Sequence, residues 1–446
     1  MMITAVLLLL CFVFAYRHFF AQQLYWTQRC ILGPHPQFLL GNLRDLWYNG
    51  GTAKSLVLKQ WTRQYGKLYG IHDGARNILI SSDVVMAEEV LIRQADKFQS
   101  RIRFPVVQPG EGPRVPLTET KGAQCRRLRA LVSQALTTGS IRKMTPTINE
   151  SARLMTQRIA VHKEDDSDVQ RYFQEYTLYI ICRVVLGQTD VKMFANPYLK
   201  TCNTVVNSTI GKLVCSLALL FSCILGPLHM FLFHFGRHLR IPLRLLIHDI
   251  SAKVKERKRE RDGGRTSSRD FIDHLLDAAV DESEVEFGQS AKFSRKLVEE
   301  KVVMLCLQFL IAGYEEVDFD RLSELRYTES AIKESLRLFP TTSFVVSRVC
   351  NDPTVIRGHA FAPGDGIQFD SWSIHTDTTL WGDDAESYRP ERWLEQKDRL
   401  RAAFQSFGCG PRVCIGVRMA YVEMKIALVH LLRCYEILPS TANGSG

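Results

Sequence analysis

The run Phe407-Gly408-Cys409-Gly410-Pro411-Arg412-Val413-Cys414-Ile415-Gly416 sets one cysteine, Cys414, in a glycine-bounded loop directly ahead of an amphipathic stretch over 417–434. A thiolate held there meets positively oriented backbone N–H groups and can stay ionised as an axial metal ligand. Gly410 permits the turn, and Gly416 removes a side chain where a flat group must lie against the backbone. Arg412, two residues before the cysteine, suits a carboxylate on that group. The plainer alternative is a buried structural cysteine in a glycine-rich turn. A second constellation, Glu334-Ser335-Leu336-Arg337, puts an acid and a base three apart on one helical face, and Pro340 ends that helix. An isolated pair of this kind is most often surface decoration.

Helices must position these residues. Periodicity predicts them over 54–65, 123–136, 143–160, 170–186, 244–259, 296–313, 325–339 and 417–434, with β-rich pieces at 67–81 and 343–369. The expected fold class is therefore mainly α with a small β region, organised around one site. With 446 residues and 46% hydrophobic content, the chain can bury one large core or two contiguous ones. Twelve cysteines without a CxxC pair or a dense framework read as mostly free thiols in a reducing compartment. The net charge of +10 raises nucleic acid as a partner, but no zinc-finger spacing or aromatic-bearing RNA-binding motif accompanies it. The densest basic run, Lys253 to Arg261, is broken by Glu256 and Glu260 and reads as the solvated end of a helix. No nucleic-acid partner is expected; basic surface elsewhere suits anionic lipid or an acidic electron-donor protein.

Residues 1–16 carry no charge, and Arg17 and His18 follow. A membrane anchor over 1–20 is the leading expectation, with a cleaved signal peptide or a buried or interfacial helix as alternatives. Positive charge at Arg17, Arg29 and Lys54 would put the large domain in the cytosol. Pro34 and Pro36 stiffen a hinge over 21–42, which leads into a domain over 43–446. The apolar stretch 203–243 reads as a helix–loop–helix cap whose outer side dips into a membrane, as a second membrane pass, or as ordinary core.

The loop pattern Phe-x-x-Gly-x-Arg-x-Cys-x-Gly resembles the heme-binding signature of the cytochrome P-450 superfamily at every specified position. Glu334 and Arg337, followed by Pro390-Glu391-Arg392-Trp393, resemble that family's Glu-Arg-Arg network, here Glu334, Arg337 and Arg392. The resemblance implies the P-450 fold, heme b, Cys414 as iron ligand in a loop with Phe407 and Gly416, and Arg129, Arg348 and Arg412 on the heme propionates. Where Cys125 stands, relatives commonly carry tryptophan. Ile374-His375-Thr376-Asp377 with Trp381-Gly382 looks like the family's segment setting sheet-to-meander geometry.

Leu310-Ile311-Ala312-Gly313-Tyr314-Glu315 is similar to the middle of the helix crossing the distal heme face. Ala312 and Gly313 would give space to dioxygen, and Glu315 would be catalytic in proton delivery. Glu316 stands where the family's threonine would follow. Eighteen positions separate Glu316 from Glu334, fewer than in relatives, so the expected fold is incomplete, with an apparent deletion near 316, and the chain past 432 is also shorter. The function implied is insertion of one atom of O₂ into a lipophilic small molecule. Electrons would come from NADPH through a reductase, with cytochrome b5 as a further donor, in the endoplasmic reticulum membrane. Two rivals stand beside it: a truncated noncatalytic or heme-poor product of a monooxygenase gene, and a membrane-bound interaction protein that keeps heme without turnover.

Overall fold

The computed structural model describes residues 24–37, 40–47, 53–74, 76–103, 115–161, 169–188, 191–196, 198–199, 201–202, 204, 219, 242–263, 271–277, 301–306, 325–340, 346–395 and 399–436. The N-terminal part forms α1 (Leu43–Trp47), α2 (Lys54–Tyr65), β1 (Leu68–Asp73), β2 (Arg76–Ser81), α3 (Val84–Glu88) and a π turn at Glu89–Arg93. The helical middle holds α4 (Gly122–Ala135), α5 (Thr138–Val161), α6 (Val169–Val184), α7 (Pro242–Asp262) and α8 (Phe271–Asp277). The C-terminal part adds α9 (Arg326–Leu338), β3 (Ser347–Val349), β4 (Thr354–Ile356), β5 (His359–Phe361) and β6 (Gly366–Phe369). It ends with α10 (Ser371–His375), α11 (Thr378–Trp381), α12 (Arg392–Glu395) and α13 (Val417–Cys434).

The mainly α class with a small β region holds. α2 and α13 match their expected bounds, whereas α5 starts at Thr138 and not at 143. Its start is fixed by Thr137, whose hydroxyl accepts the Ser140 N–H at 3.3 Å, a polar cap inside a run that reads as loop.

One four-stranded sheet, in the order β1-β2-β6-β3, joins the two ends of the chain. β2 and β6 pair in parallel, with Ile78 opposite Gly366 and Ser81 opposite Phe369. β3 runs antiparallel to β6 and sets Arg348 opposite Ile367. A central strand is buried on both faces, which is why Ile78, Leu79 and Ile80 run apolar without alternation. A second core lies among the helices, where Val132 of α4, Ile148 of α5, Ile180 of α6 and Ile426 of α13 are fully buried together. Each such side chain contributes about 1.5–3 kcal/mol on leaving water.

Among the described residues no helix is long and apolar enough to cross a membrane. This corrects the expected placement in the endoplasmic reticulum membrane with the large domain facing the cytosol. The long helices are amphipathic: α5 carries Arg142, Lys143, Glu150, Arg153 and Arg158, and α13 carries Arg418, Lys425 and Arg433. The anchor expected over 1–20 and nearly all of 203–243 lie outside the described residues. From Tyr25 onward the expected hinge is docked on the sheet, with Trp26 Nε1 donating to the Ile71 carbonyl at 3.0 Å and Gly70 N–H to the Leu32 carbonyl at 2.8 Å.

Candidate cofactor site

Two glycines shape the loop ahead of α13. Gly408 and Gly410 have φ of +72° and +68°, a region that other residues enter only with strain. A Cβ on Gly410 would collide with the carbonyl oxygen of Leu91, in the π turn. Pro411 then opens a short 3₁₀ turn, Gly410–Arg412, closed by Val413 N–H to the Gly410 carbonyl at 3.0 Å. Cys414 N–H donates to the Phe407 carbonyl at 2.8 Å, so the ligand candidate is tied to the loop's first residue. The Phe407 ring packs on Tyr421 of α13, with centroids 5.4 Å apart.

Cys414 is exposed to solvent although protein crowds it from behind, as expected for a side chain lining a concave surface. Burial pushes its thiol up, and the Gly416 N–H and the charges of Arg101 and Arg129 pull the other way without prevailing. Local N–H groups alone therefore do not lower the Cys414 thiol; a bound metal would supply the missing charge. A Cβ built on Gly416 meets nothing within 4 Å, so the space beside Cys414 is open there.

Arginines crowd this space. Arg412 is buried and donates to the carbonyls of Thr120 at 2.6 Å, Thr118 at 2.8 Å and Gln99 at 3.1 Å. Arg129, on α4, donates to the Val413 carbonyl at 2.7 Å. Arg348, on β3, donates to the carbonyls of Ser347 at 2.8 Å and Cys409 at 3.4 Å, and is 2% exposed. The structure adds Arg101, which sequence reasoning missed, donating to the Arg412 carbonyl at 2.8 Å. Its segment runs beside β3: Val349 N–H donates to Ser100, and Asn351 Oδ1 accepts from Gln99 and Ser100.

Four guanidiniums this close repel one another. Burial first, then Arg412 and Arg129, hold Arg101 down at about 10, and burial with Arg101 and Arg412 holds Arg348 down at about 9. Among the described residues none of the four forms an ion pair, and Nε of both Arg101 and Arg348 lacks a hydrogen-bond partner. Glu119 is the nearby acid that favours the charged forms of Arg101 and Arg412. Such a cluster suits an anion, and with the open space over Gly416 and a thiol at its floor it fits a flat, carboxylate-bearing metal group.

Glu334, Arg337 and Arg392 come together as expected, each fully buried. Glu334 Oε1 accepts from Arg337 Nη2 at 2.8 Å, Arg392 Nε at 2.8 Å and Arg389 N–H at 3.0 Å. Its Oε2 accepts from Arg337 Nε at 2.9 Å and Trp393 Nε1 at 3.0 Å. Burial raises the carboxyl, but the hydrogen bonds from Arg337, Arg389 and Arg392 and the Arg337 charge outweigh it and hold it below the usual range. Arg337 reaches on to the carbonyls of His375 and Ala385, and Arg392 to that of Trp381. The three side chains thus hold the 381–395 meander against α9.

Ala312, Gly313, Glu315 and Glu316, and the deletion expected near 316, lie outside the described residues. Cys125 is buried on α4 within reach of Arg412.

A family model described as Cytochrome P450 matches residues 32–317 and 315–444. The chain is similar to three Caenorhabditis elegans proteins of that name. Cytochrome P450 CYP13A2 is 32% identical over 92% of this chain and 88% of its own length. CYP13A1 is 31% identical over 95% and 91%, and CYP13A10 31% identical over 92% and 89%.

Proposed function

This chain belongs to the cytochrome P450 family of heme monooxygenases, and on that premise we propose that Cys414 is its iron ligand and that electrons reach it from NADPH through a reductase, with cytochrome b5 as a further donor. The substrate is a lipophilic small molecule. Bound heme b supplies O₂ activation and substrate oxidation, with one oxygen atom entering the product. Cys414, once ionised, gives the metal a strongly donating sulfur, and the Gly416 N–H steadies that charge. Arg101, Arg129, Arg348 and Arg412 orient the carboxylates and exclude water from them. Phe407 and Gly416 frame the loop, and Glu334, Arg337 and Arg392 keep it seated. By family resemblance Ala312 and Gly313 would leave room for dioxygen, and Glu315 would move protons to it.

The arginine cluster around Cys414, short of anions among the described residues, is the observation that carries this reading. Heme-loaded protein should give a strongly red-shifted carbonyl band on reduction under carbon monoxide, and Cys414→Ser should abolish that band while leaving the polypeptide folded. A full band in the serine variant would refute the assignment. A second reading, a heme-poor or noncatalytic product, draws support from Glu316 standing where the resemblance places an alcohol and from a family match that divides at 315–317. NADPH-driven, substrate-dependent product formation separates the two.

A further inference from the structure

We propose that His375 is a positioning residue for the Cys414 loop, its Nε2 acting as the acceptor that fixes the backbone where that loop begins. The inference rests on the reading of Cys414 as iron ligand. The His375 ring is fully buried at the C-terminal end of α10. Nδ1 lies 3.0 Å from the Arg337 carbonyl, which can only accept, so Nδ1 carries the proton. Nε2 lies 2.8 Å from the Gln405 backbone nitrogen, which can only donate, so Nε2 offers its lone pair. One neutral tautomer satisfies both contacts. Phe404 stacks on the ring with centroids 5.5 Å apart and planes at 22°, and Arg337 Nη1 donates back to the His375 carbonyl.

Gln405 is 1% exposed. Its N–H has no water to turn to, and a buried N–H without an acceptor is strongly disfavoured. From Gln405 the path to the ligand is short. Gly408 N–H donates to the Gln405 carbonyl at 2.8 Å, Ser406 Oγ to the Leu336 carbonyl at 2.8 Å, and Cys414 N–H to the Phe407 carbonyl at 2.8 Å. The Gln405 side chain is itself held by Ser371 and Ala402. His375 therefore links the buried Glu334–Arg337 pair on α9 to the first turn of the loop. A residue that fixes a ligand through its neighbours acts on ligand geometry without touching the metal.

Three full-length variants separate this role from packing. His375→Gln places an amide oxygen near the Nε2 position; His375→Asn keeps only a group near Nδ1; His375→Phe keeps an aromatic ring and loses both bonds. Each is read by the ratio of thiolate-type to displaced-ligand bands in the reduced carbonyl complex, and by heme lost to excess apoglobin. Asn and Phe should shift the balance between seated and displaced ligand by roughly 5- to 150-fold, and Gln should restore most of it. A packing role would move Gln and Asn alike, since both remove the ring, so equal losses in those two overturn the inference. So do Asn and Phe variants that match wild type. Wild-type protein with no thiolate-type band overturns the ligand reading, and this inference with it.

Discussion

Glu334→Gln keeps the shape of the buried network and removes its charge. Three N–H donors converge on Oε1 and two on Oε2. An amide turns one of these oxygens into a donor, so either orientation sets its NH₂ against at least two N–H groups. Arg337 and Arg392, both fully buried, also lose their shared counter-charge, although Arg392 keeps a contact to Asp384 at 3.1 Å. Breaking a buried pair by removing one partner costs about 3–5 kcal/mol. That shifts the folded-to-unfolded ratio on the order of a hundred- to a thousandfold or more, against a total stability of roughly 5–15 kcal/mol. Urea unfolding followed by tryptophan fluorescence should show it, because Trp381 and Trp393 sit in the network with rings 5.3 Å apart. Glu334→Ala, which removes every acceptor, should fail to incorporate heme. Glu395→Gln is the control, since its exposed pair with Arg389 contributes about 0–1 kcal/mol. A Glu334→Gln protein within about 1 kcal/mol of wild type and normally heme-loaded would refute the reasoning.

Gly410→Ala should empty the heme site, because a left-handed φ costs a non-glycine residue about 1–2 kcal/mol and the new Cβ would collide with the Leu91 carbonyl; wild-type heme content would contradict this. Arg101→Gln should speed heme loss to excess apoglobin about tenfold, the worth of one charge-assisted hydrogen bond, and an unchanged rate would remove Arg101 from the site. Stability should fall as pH drops below about 6.5, where unfolded histidine takes up a proton. Burial chiefly, with the facing charge of Arg337, holds His375 down at about 3, so the native ring stays neutral through that window. Glu334, held low, reinforces the trend below about 4.5. Urea midpoints at about pH 7.5 and about pH 5.5 should differ in wild type and differ by less in His375→Gln, where His72 and His430, also held down chiefly by burial, keep the remainder; an equal difference in both would exclude His375 as a source.

Local grammar makes part of this molecule legible. The Cys414 loop can be read because glycine, proline and cysteine occupy fixed offsets, and Gly408 and Gly410 among them answer to a left-handed φ that the structure displays. α2 and α13 can be read because their apolar stripes repeat at helical spacing. α5 reads short because a single threonine cap outweighs a loop-like composition. Arg101 is invisible for a different reason: it lies in an irregular stretch with no period, and the residues that give it meaning are more than three hundred positions away. His375 is visible as part of a segment shaping the meander, but its hold on Gln405 depends on a ring nitrogen's direction, which spacing does not encode. The membrane location fails because it rests on residues 1–20, whereas the long described helices carry charge along their length.

The loop's grip on distant chain has a consequence for the order of assembly. Arg129 holds Val413 from 284 residues away, and Arg412 holds Gln99 from 313 residues away. A chain emerging from the ribosome exposes Leu91, Arg101 and Arg129 long before residues 405–416 exist to meet them. N-terminal segments generally fold as they emerge, whereas contacts of such sequence separation form late. The cluster of cations then has no floor until residues 405–416 emerge, so heme capture waits for them and competes with aggregation of the waiting half-site. Heme supply from that point on, more than before it, would govern the yield of loaded protein.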